Sequence, residues 1–329
     1  MSKTGWIILI VCLIVVFCLA VGIFIAGRMF SALFPRQENP AYSDSVSKRY
    51  SDLKNPYAED GVYSVKMKEL KELTIDWISG TVTVELSDDD AIRIEETAVD
   101  TIQEKDALRY GVSGSKLRIQ ACAKRHTGKL PEKALVVSIP RSMAGALKEC
   151  RLDTVSASIV AGELTMKQLS INTISGTVYL NQVTGGEAGF DTVSGPVELY
   201  RCSFDSLQVS SVSASLAASA SVKKMNASSV SGPMVLELEG CDEVNANTVS
   251  GNVTLDLAAA PRSLSVDTTS GEVHITLPED ASCEIQMDST SGKLYWNSQL
   301  VSAKKFSLGE GEALFEVSSM SGNVYVHTK

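Results

Sequence analysis

A Ser-Gly corner recurs about every nineteen residues through the second half of the sequence. Successive serines of this signature are separated by 19, 19, 19, 18, 19, 20 and 21 residues. They are Ser156, Ser175, Ser194, Ser213, Ser231, Ser250, Ser270 and Ser291. Ser79 precedes the series by 77 residues, close to four periods, and Ser321 follows it by 30. A repeat of this kind restricts the chain to folds in which similar units stack on one another.

Apolar and polar residues alternate on both sides of each corner. Apolar residues stand six and four positions before the serine, and they resume three and five positions after it, as Val178 and Leu180 do. A threonine or serine occupies the second position before it. This period-two pattern predicts two short strands per repeat. The expected inward positions are Ile171, Val178, Leu180, Val209, Val253, Leu255, Val266 and Val273.

The predicted fold is all-β, with residues 151–329 forming a single-stranded β-solenoid, or β-helix, of about 19-residue coils. Each coil would add about 4.8 Å along the axis. Glycine suits the corner if the backbone there has positive φ, although Ala157 and Ala214 replace it in two coils. The alternative is a β-sandwich of antiparallel hairpins. Sandwich strands seldom repeat the same side-chain types at the same offsets, and this favours the solenoid.

The amino-terminal region, residues 1–30, is predicted to be a transmembrane anchor. Residues 7–26 carry no charge and are long enough as a helix to cross about 30 Å of hydrocarbon. A cleaved secretory signal is the alternative, but its apolar core is normally shorter. The flanking charges, Lys3 against Arg28 and Arg36, do not decide the orientation. Residues 31–60, with three prolines among polar residues, read as an extended tether.

Residues 61–150 predict an irregular β capping region that contains the first Ser-Gly coil. Strands are expected at 91–95, 116–120 and 134–139, and the segment 296–312 is expected to blunt the other end. The net charge of −9 argues against nucleic acid and anionic lipid as partners. Cys202, Cys241 and Cys283 are separated by about two coils each, roughly 9.5 Å, so we expect free thiols.

Several residue groups could carry chemistry, and each has a structural interpretation. Asp88, Asp89 and Asp90 could bind Ca²⁺ but suit a solvated turn. His126, His274 and His327 lie in different segments without zinc-ligand spacing. The repeated serines are expected to hydrogen-bond the local backbone, and Gly309-x-Gly311 lacks the helix that phosphate binding requires.

A polar column stands three positions before the repeated serine. It comprises Asp153, Asn172, Asp191, Asn247, Asp267 and Asp288, with Ser210 and Ser228 in the same column. Stacked carboxylates could meet the separations of a glycoside hydrolase, but the same residue types suit strand-end turns. We therefore predict no catalytic, cofactor-binding or metal site, and no cofactor.

The frame Leu-x-Val-x-Thr-Val-Ser-Gly-x-Val-x-Leu resembles the β-strand repeat of the bacterial putative-adhesin family, a domain of unknown function. The acidic turn at 88–90, the Val-Val-Ser-Ile-Pro segment at 136–140 and Gly-Glu-Gly at 309–311 agree with it. The resemblance spans about residues 62–328 and carries no catalytic motif. It implies a bacterial cell-envelope protein, with some similar proteins linked to envelope-stress systems.

We therefore expect a non-catalytic binding, adhesion or envelope-stress-associated module, tethered to the cell membrane by one span, with its folded part outside the cytoplasm. Expected partners are the membrane and an envelope glycan, a peptide or another membrane protein, and not nucleic acid. A self-assembling structural scaffold is the first alternative. A polysaccharide lyase or hydrolase is the second.

Overall fold

The structure, a computed structural model, describes residue 53 and residues 57–122, 130–303, 305–311 and 313–329. The predicted anchor at 7–26 and nearly all of the tether lie outside these residues. Within the described part, no helix is both long enough and apolar enough to span a bilayer. The chain divides into two compact units at Gly185 and Gly186.

The first unit consists of short strands and one helical turn. They are β1 (Val62–Val65), β2 (Glu72–Trp77), β3 (Gly80–Ser87), β4 (Ile92–Ala98), β5 (Arg109–Ser113), β6 (Lys116–Gln120), β7 (Lys133–Pro140), α1 (Arg141–Ala144), β8 (Glu149–Thr154), β9 (Ser158–Gly162), β10 (Thr165–Thr173) and β11 (Val178–Asn181). The division between the units falls within β12 (Thr184–Thr192).

Parallel pairing arranges the first unit in two rows of strands. One row runs β6, β2, β8, β10, and the other runs β7, β3, β9, β11. In the regular coils the pairing offset is nineteen residues, as between Leu152 and Ile171. Antiparallel strands cover the outer coil, with β5 on β6, β4 on β7 and β1 on β4.

The second unit repeats this arrangement with strands β13 (Val197–Ser211), β14 (Leu216–Ser229), β15 (Met234–Glu239), β16 (Glu243–Thr248), β17 (Val253–Leu257), β18 (Ser263–Thr268), β19 (Val273–Leu277), β20 (Cys283–Ser289), β21 (Leu294–Trp296), β22 (Gln299–Val301), β23 (Lys305–Leu308), β24 (Ala313–Ser319) and β25 (Val324–Thr328). One row runs β13, β14, β16, β18, β24, β20. The other runs β13, β14, β15, β17, β19, β25, β21. Antiparallel β23 and β22 cover the outermost coil, which is formed by β20 and β21.

The stacking order departs from chain order in each unit. In the first, the coil of β6 and β7 lies outside that of β2 and β3. Ser156 therefore donates its amide directly to Ile78 O at 2.8 Å, and no coils are missing between Ser79 and Ser156. In the second, the last coil of the chain is inserted between the coils of Ser270 and Ser291, which explains the outlying spacing of Ser321.

Parallel pairing, with an offset of 18 to 20 residues between the regular coils, confirms stacked coils and excludes the hairpin sandwich. All eight residues expected to face inward are buried: Ile171, Val178, Leu180, Val209, Val253, Leu255, Val266 and Val273. The three expected capping strands form at β4, β6 and β7. Cys202, Cys241 and Cys283 are buried free thiols, as expected, and burial raises the pKa of Cys241 and of Cys283 to about 11.

Close approach between coils, and not positive φ, explains the corner glycines of most coils, and this corrects the expectation from the sequence. The exception is Gly80 in the first Ser-Gly coil, which has a φ of +95° as well as a close approach to the Lys133 carbonyl. None of the described glycines that follow a signature serine from Ser175 to Ser321 has positive φ. A Cβ placed on Gly251 would overlap the carbonyl oxygen of Gly232, and one on Gly271 would overlap that of Gly251. The coils are therefore too close at this position for a side chain larger than hydrogen in most repeats.

Candidate binding surface

Two kinds of hydroxyl hold each corner. The buried residue two positions before the serine makes the local bond, as Thr248 Oγ1 does by accepting from Gly251 N at 3.0 Å. The signature serine itself is exposed and binds the neighbouring coil, which differs from the local bond expected. Ser250 donates both its amide, at 3.0 Å, and its hydroxyl, at 3.4 Å, to Val230 O. The repeated serines are thus structural.

The polar column of the first unit is an ion-paired ladder. Arg118 binds Asp76 with an Nη2 to Oδ2 distance of 2.5 Å, and Arg151 binds Asp153 with an Nε to Oδ2 distance of 2.7 Å. Asn172 Nδ2 donates to Asp153 Oδ1 at 2.6 Å. Asp76 stands three positions before Ser79, so the repeat frame could have identified it. Arg118 lies in a coil without the signature, and the frame could not have placed it.

Asp76 and Asp153 are partners on adjacent parallel strands. Burial raises the pKa of Asp76, Arg118 opposes that shift, and the charge of Asp153 adds to it. A carboxyl group of raised pKa beside a second one is a pattern that acid-base catalysts use. Here each carboxylate is held by its own arginine, so the pair is part of the ladder between coils.

The column continues in the second unit with carboxylates bound to serines. Burial raises the pKa of Asp191 and of Asp267, and hydrogen bonds with Ser210 and Ser318 respectively lower it in part. The remaining predicted members, Asn247, Asp288 and Ser228, lie on the same strand row. Because the partners come from the ladder itself, the column stabilises the stack.

The other sequence candidates remain dispersed. Asp88, Asp89 and Asp90 form an exposed bend, in which Asp88 Oδ1 lies 3.3 Å from Arg141 Nε. His274 and His327 stand on adjacent strands β19 and β25, and His126 lies outside the described residues. Across the described part of the chain, no three His, Cys, Asp or Glu residues are grouped to hold a metal ion. Gly309 and Gly311 have positive φ and form a turn, as expected.

The first unit contains a buried lysine that the sequence pattern did not predict. Lys133 Nζ lies 2.6 Å from Glu96 Oε1, and both side chains are almost fully buried. The ammonium also donates to the carbonyls of Asp106 and Ala121, and it lies 5.0 Å from the centroid of the Trp77 ring. All three donor hydrogens are therefore engaged, and the lysine ties the outer coil to its covering strands.

An aromatic row lies on the outward face of the second unit. Tyr325 stacks between His274 and Tyr295, with ring centroids 4.7 and 5.1 Å apart. Each ring stands four positions after its serine. The order of the rings in space is His274, Tyr325, Tyr295, which differs from their order in the sequence. Exposed Leu300 and Leu314 belong to the same end. In the first unit, Val160 and Tyr179 are exposed partners on adjacent strands.

These features define a class of protein with two units, each an all-β stack of two-strand coils in which outward side chains at the same repeat position are aligned in rows. The chain belongs to the Toastrack DUF4097 family, a domain of unknown function, whose model matches residues 70–327. No curated protein matches it.

Several solved structures are similar to this chain. One is described as a putative lipid binding protein from Parabacteroides distasonis, with 19% identity, a TM-score of 0.45 and coverage of 82% of this chain and 96% of the other. Another is a putative adhesin from Bacteroides fragilis, with 12% identity, a TM-score of 0.43 and coverage of 82% and 96%. A third is a putative adhesin from Parabacteroides merdae, with 9% identity, a TM-score of 0.42 and coverage of 85% and 97%.

Proposed function

We propose that this chain is a membrane-tethered, non-catalytic binding module that presents its outward strand faces to the cell envelope, in adhesion or envelope-stress sensing. The observation that carries the proposal is how the polar groups are used. Carboxylates and hydroxyls that recur with the repeat bind one another or the backbone between coils, as Asp76, Asp153 and Ser250 do. The side chains left accessible form rows, which suits binding spread over several coils.

A catalytic site needs a few unlike groups that converge in a concave space. The polar column is instead a line of similar groups along stacked strands. This favours a binding role over the lyase or hydrolase. Covering strands support a binding module over an end-to-end scaffold, because antiparallel β5, β4, β22 and β23 occupy strand edges that assembly would need.

The membrane part of the proposal depends on the sequence. Residues 7–26 are uncharged and residues 31–60 are rich in proline and polar residues. We place the amino terminus in the cytosol, the span at 7–26 and the two units outside, as expected for a bacterial envelope protein that keeps its anchor.

Protease treatment of cells that express the full chain tests the topology. With the wall opened and the membrane intact, external protease should digest the two units and leave a short membrane-bound fragment with an intact amino terminus. Protection of both units until detergent is added would reverse the orientation. A mature amino terminus beyond residue 20 would show that the segment is a cleaved signal.

Binding is tested by capture of isolated envelope material on the detergent-solubilised full chain. Deletion of residues 214–231 removes one coil in register, since Leu216 of β14 pairs with Met234 of β15. We expect the capture to weaken by degrees. Unchanged capture after loss of a coil would contradict a distributed surface.

A further inference from the structure

Three lysines form a column at one corner of the first unit. Lys71, Lys148 and Lys167 each stand eight positions before a signature serine, in three successive coils. Their backbones are joined directly, because Lys148 N donates to Lys71 O at 2.8 Å and Lys167 N donates to Lys148 O at 3.0 Å. The spacing between their Cα atoms is therefore about that of neighbouring strands, roughly 4.8 Å.

The charge of this column is only partly compensated. Glu69 Oε1 lies 2.5 Å from Lys71 Nζ, and this hydrogen bond lowers the pKa of Glu69. Lys148 and Lys167 are exposed, and neither has an ion pair with any described residue. Like charges on neighbouring strands repel. Glu149, next to Lys148, is a second exposed carboxylate, and Glu72 is paired with Lys116. The three ammonium groups therefore outnumber the two remaining carboxylates, Glu69 and Glu149, and leave a small local excess of positive charge on an acidic protein.

The second unit shows that the fold does not require like charges here. In four successive coils of that unit, the position eight before the serine is occupied by Asp205, Lys223, Asp242 and Arg262. Asp242 N donates to Lys223 O at 2.8 Å, and Arg262 N donates to Asp242 O at 2.9 Å. The charges alternate, and Lys223 Nζ lies 2.6 Å from Asp205 Oδ1. The hydrogen bond from Lys223 to Asp205 raises the pKa of Lys223. The lysine column is thus a local departure from a self-neutralising arrangement.

A shallow groove of about 340 Å³ follows the lysine column. Leu147 and Met166, both buried, contribute to its lining, as do Gly145, Thr165 and the carboxylate Glu69 that is paired with Lys71. A Cβ on Gly145 would have no heavy atom within 4 Å, so the glycine leaves open space beside the lysines. The groove therefore combines a row of ammonium groups with room for an extended chain.

We propose that the lysine column binds a linear phosphate-bearing polymer of the envelope. Three ammonium groups in a row match repeated anions along one chain, whereas a single phosphate would engage only some of them. The proposal deepens the proposed function, since it rests on the units facing the envelope. It assigns the first unit a ligand class that the ion-paired corner of the second unit would not bind.

Long-chain inorganic polyphosphate serves as the probe, with the detergent-solubilised full chain and fluorescence anisotropy as the readout. The variant Lys148→Asp recreates the alternating pattern of the second unit and should weaken binding at least tenfold, while the thermal melting temperature stays the same or rises. Lys148→Arg should retain binding. Lys223→Gln, which removes a lysine at the equivalent position of the second unit, is the matched control and should bind as the natural chain does. Binding should also fall as salt increases.

Equal binding by Lys148→Asp and Lys223→Gln would overturn the proposal. So would equally strong, lysine-dependent binding to phosphatidylglycerol vesicles, because the column would then recognise a lipid surface. These outcomes are independent of the proposed function. Envelope capture and protease sensitivity could persist without polyphosphate binding, and polyphosphate binding could persist in a chain whose units face the cytosol.

Discussion

The two units differ in the interactions that hold their outermost and regular coils together. The first closes its outer coil with buried charge, where Lys133 meets Glu96 beneath antiparallel strands. The second, like the regular coils of the first, relies on repetition, with a threonine or serine hydroxyl bound to the corner amide in one coil after another. The difference indicates that regular coils are held by many small, equivalent contacts, whereas the irregular coil depends on a few strong ones.

The largest expected effect is at the buried ion pair of the first unit. Lys133→Ala should lower the free energy of unfolding by about 3–5 kcal/mol, because it leaves Glu96 charged and unpaired in the interior. Chemical denaturation measures this. Lys116→Ala, which breaks an exposed ion pair with Glu72 in the same unit, is the control and should cost under about 1 kcal/mol. Similar losses for both variants would show that the buried pair has no special role.

The next effect is at a corner of the second unit. Gly251→Val should cost about 1–3 kcal/mol, because its side chain would overlap the carbonyl of Gly232 and force the coils apart. Gly189→Val is the control, since a Cβ there meets no heavy atom within 4 Å. If thermal melts show the two variants to be equally stable, close approach does not explain the corner glycines.

Smaller effects should separate the two hydroxyls of one corner. Thr248→Val keeps the shape of the side chain but leaves the Gly251 amide without its partner, at a cost of about 1–2 kcal/mol. Ser250→Ala removes an exposed hydroxyl whose bond is 3.4 Å long, and should change stability by less than about 0.5 kcal/mol. A larger loss at Ser250 than at Thr248 would reverse the roles that we assign to the signature.

The repeat frame was sufficient to predict the regular coils, because alternation and corner spacing are local properties of the sequence. It placed the inward residues from Ile171 to Val273, whereas the strands around Lys116 and Ala134 were predicted without it, since they belong to a coil that lacks the signature. It could not predict the order of the end coils, since insertion of the Ser321 coil between two earlier coils depends on pairing between distant segments. The burial of Lys133 was not predicted, because a lone lysine at the start of an apolar strand is normally exposed.

The repeat frame also explains which surface residues could be identified from the sequence. Asp76 and the lysine column stand at fixed offsets from a serine and are visible in the sequence. Their partners are not, because Arg118 and Glu69 come from segments outside the frame. The aromatic row was hidden for the same reason as the coil order, since His274 and Tyr325 become neighbours only when the last coil is inserted.

The smallest expected effect is a pH dependence of stability that comes from Asp76 in the first unit. Burial and the neighbouring charge of Asp153 raise the pKa of Asp76 above its ordinary value of 3.8. The folded state then holds this proton more tightly than the unfolded state, so the contribution of Asp76 to stability is present at low pH and is lost as pH rises through the raised pKa. Denaturation of the natural chain and of Asp76→Asn, measured from pH 3.5 upward, should give a difference that moves in favour of the asparagine variant as pH increases. A difference that stays constant, or that moves towards the natural chain, would mean that the ion pair with Arg118 outweighs burial.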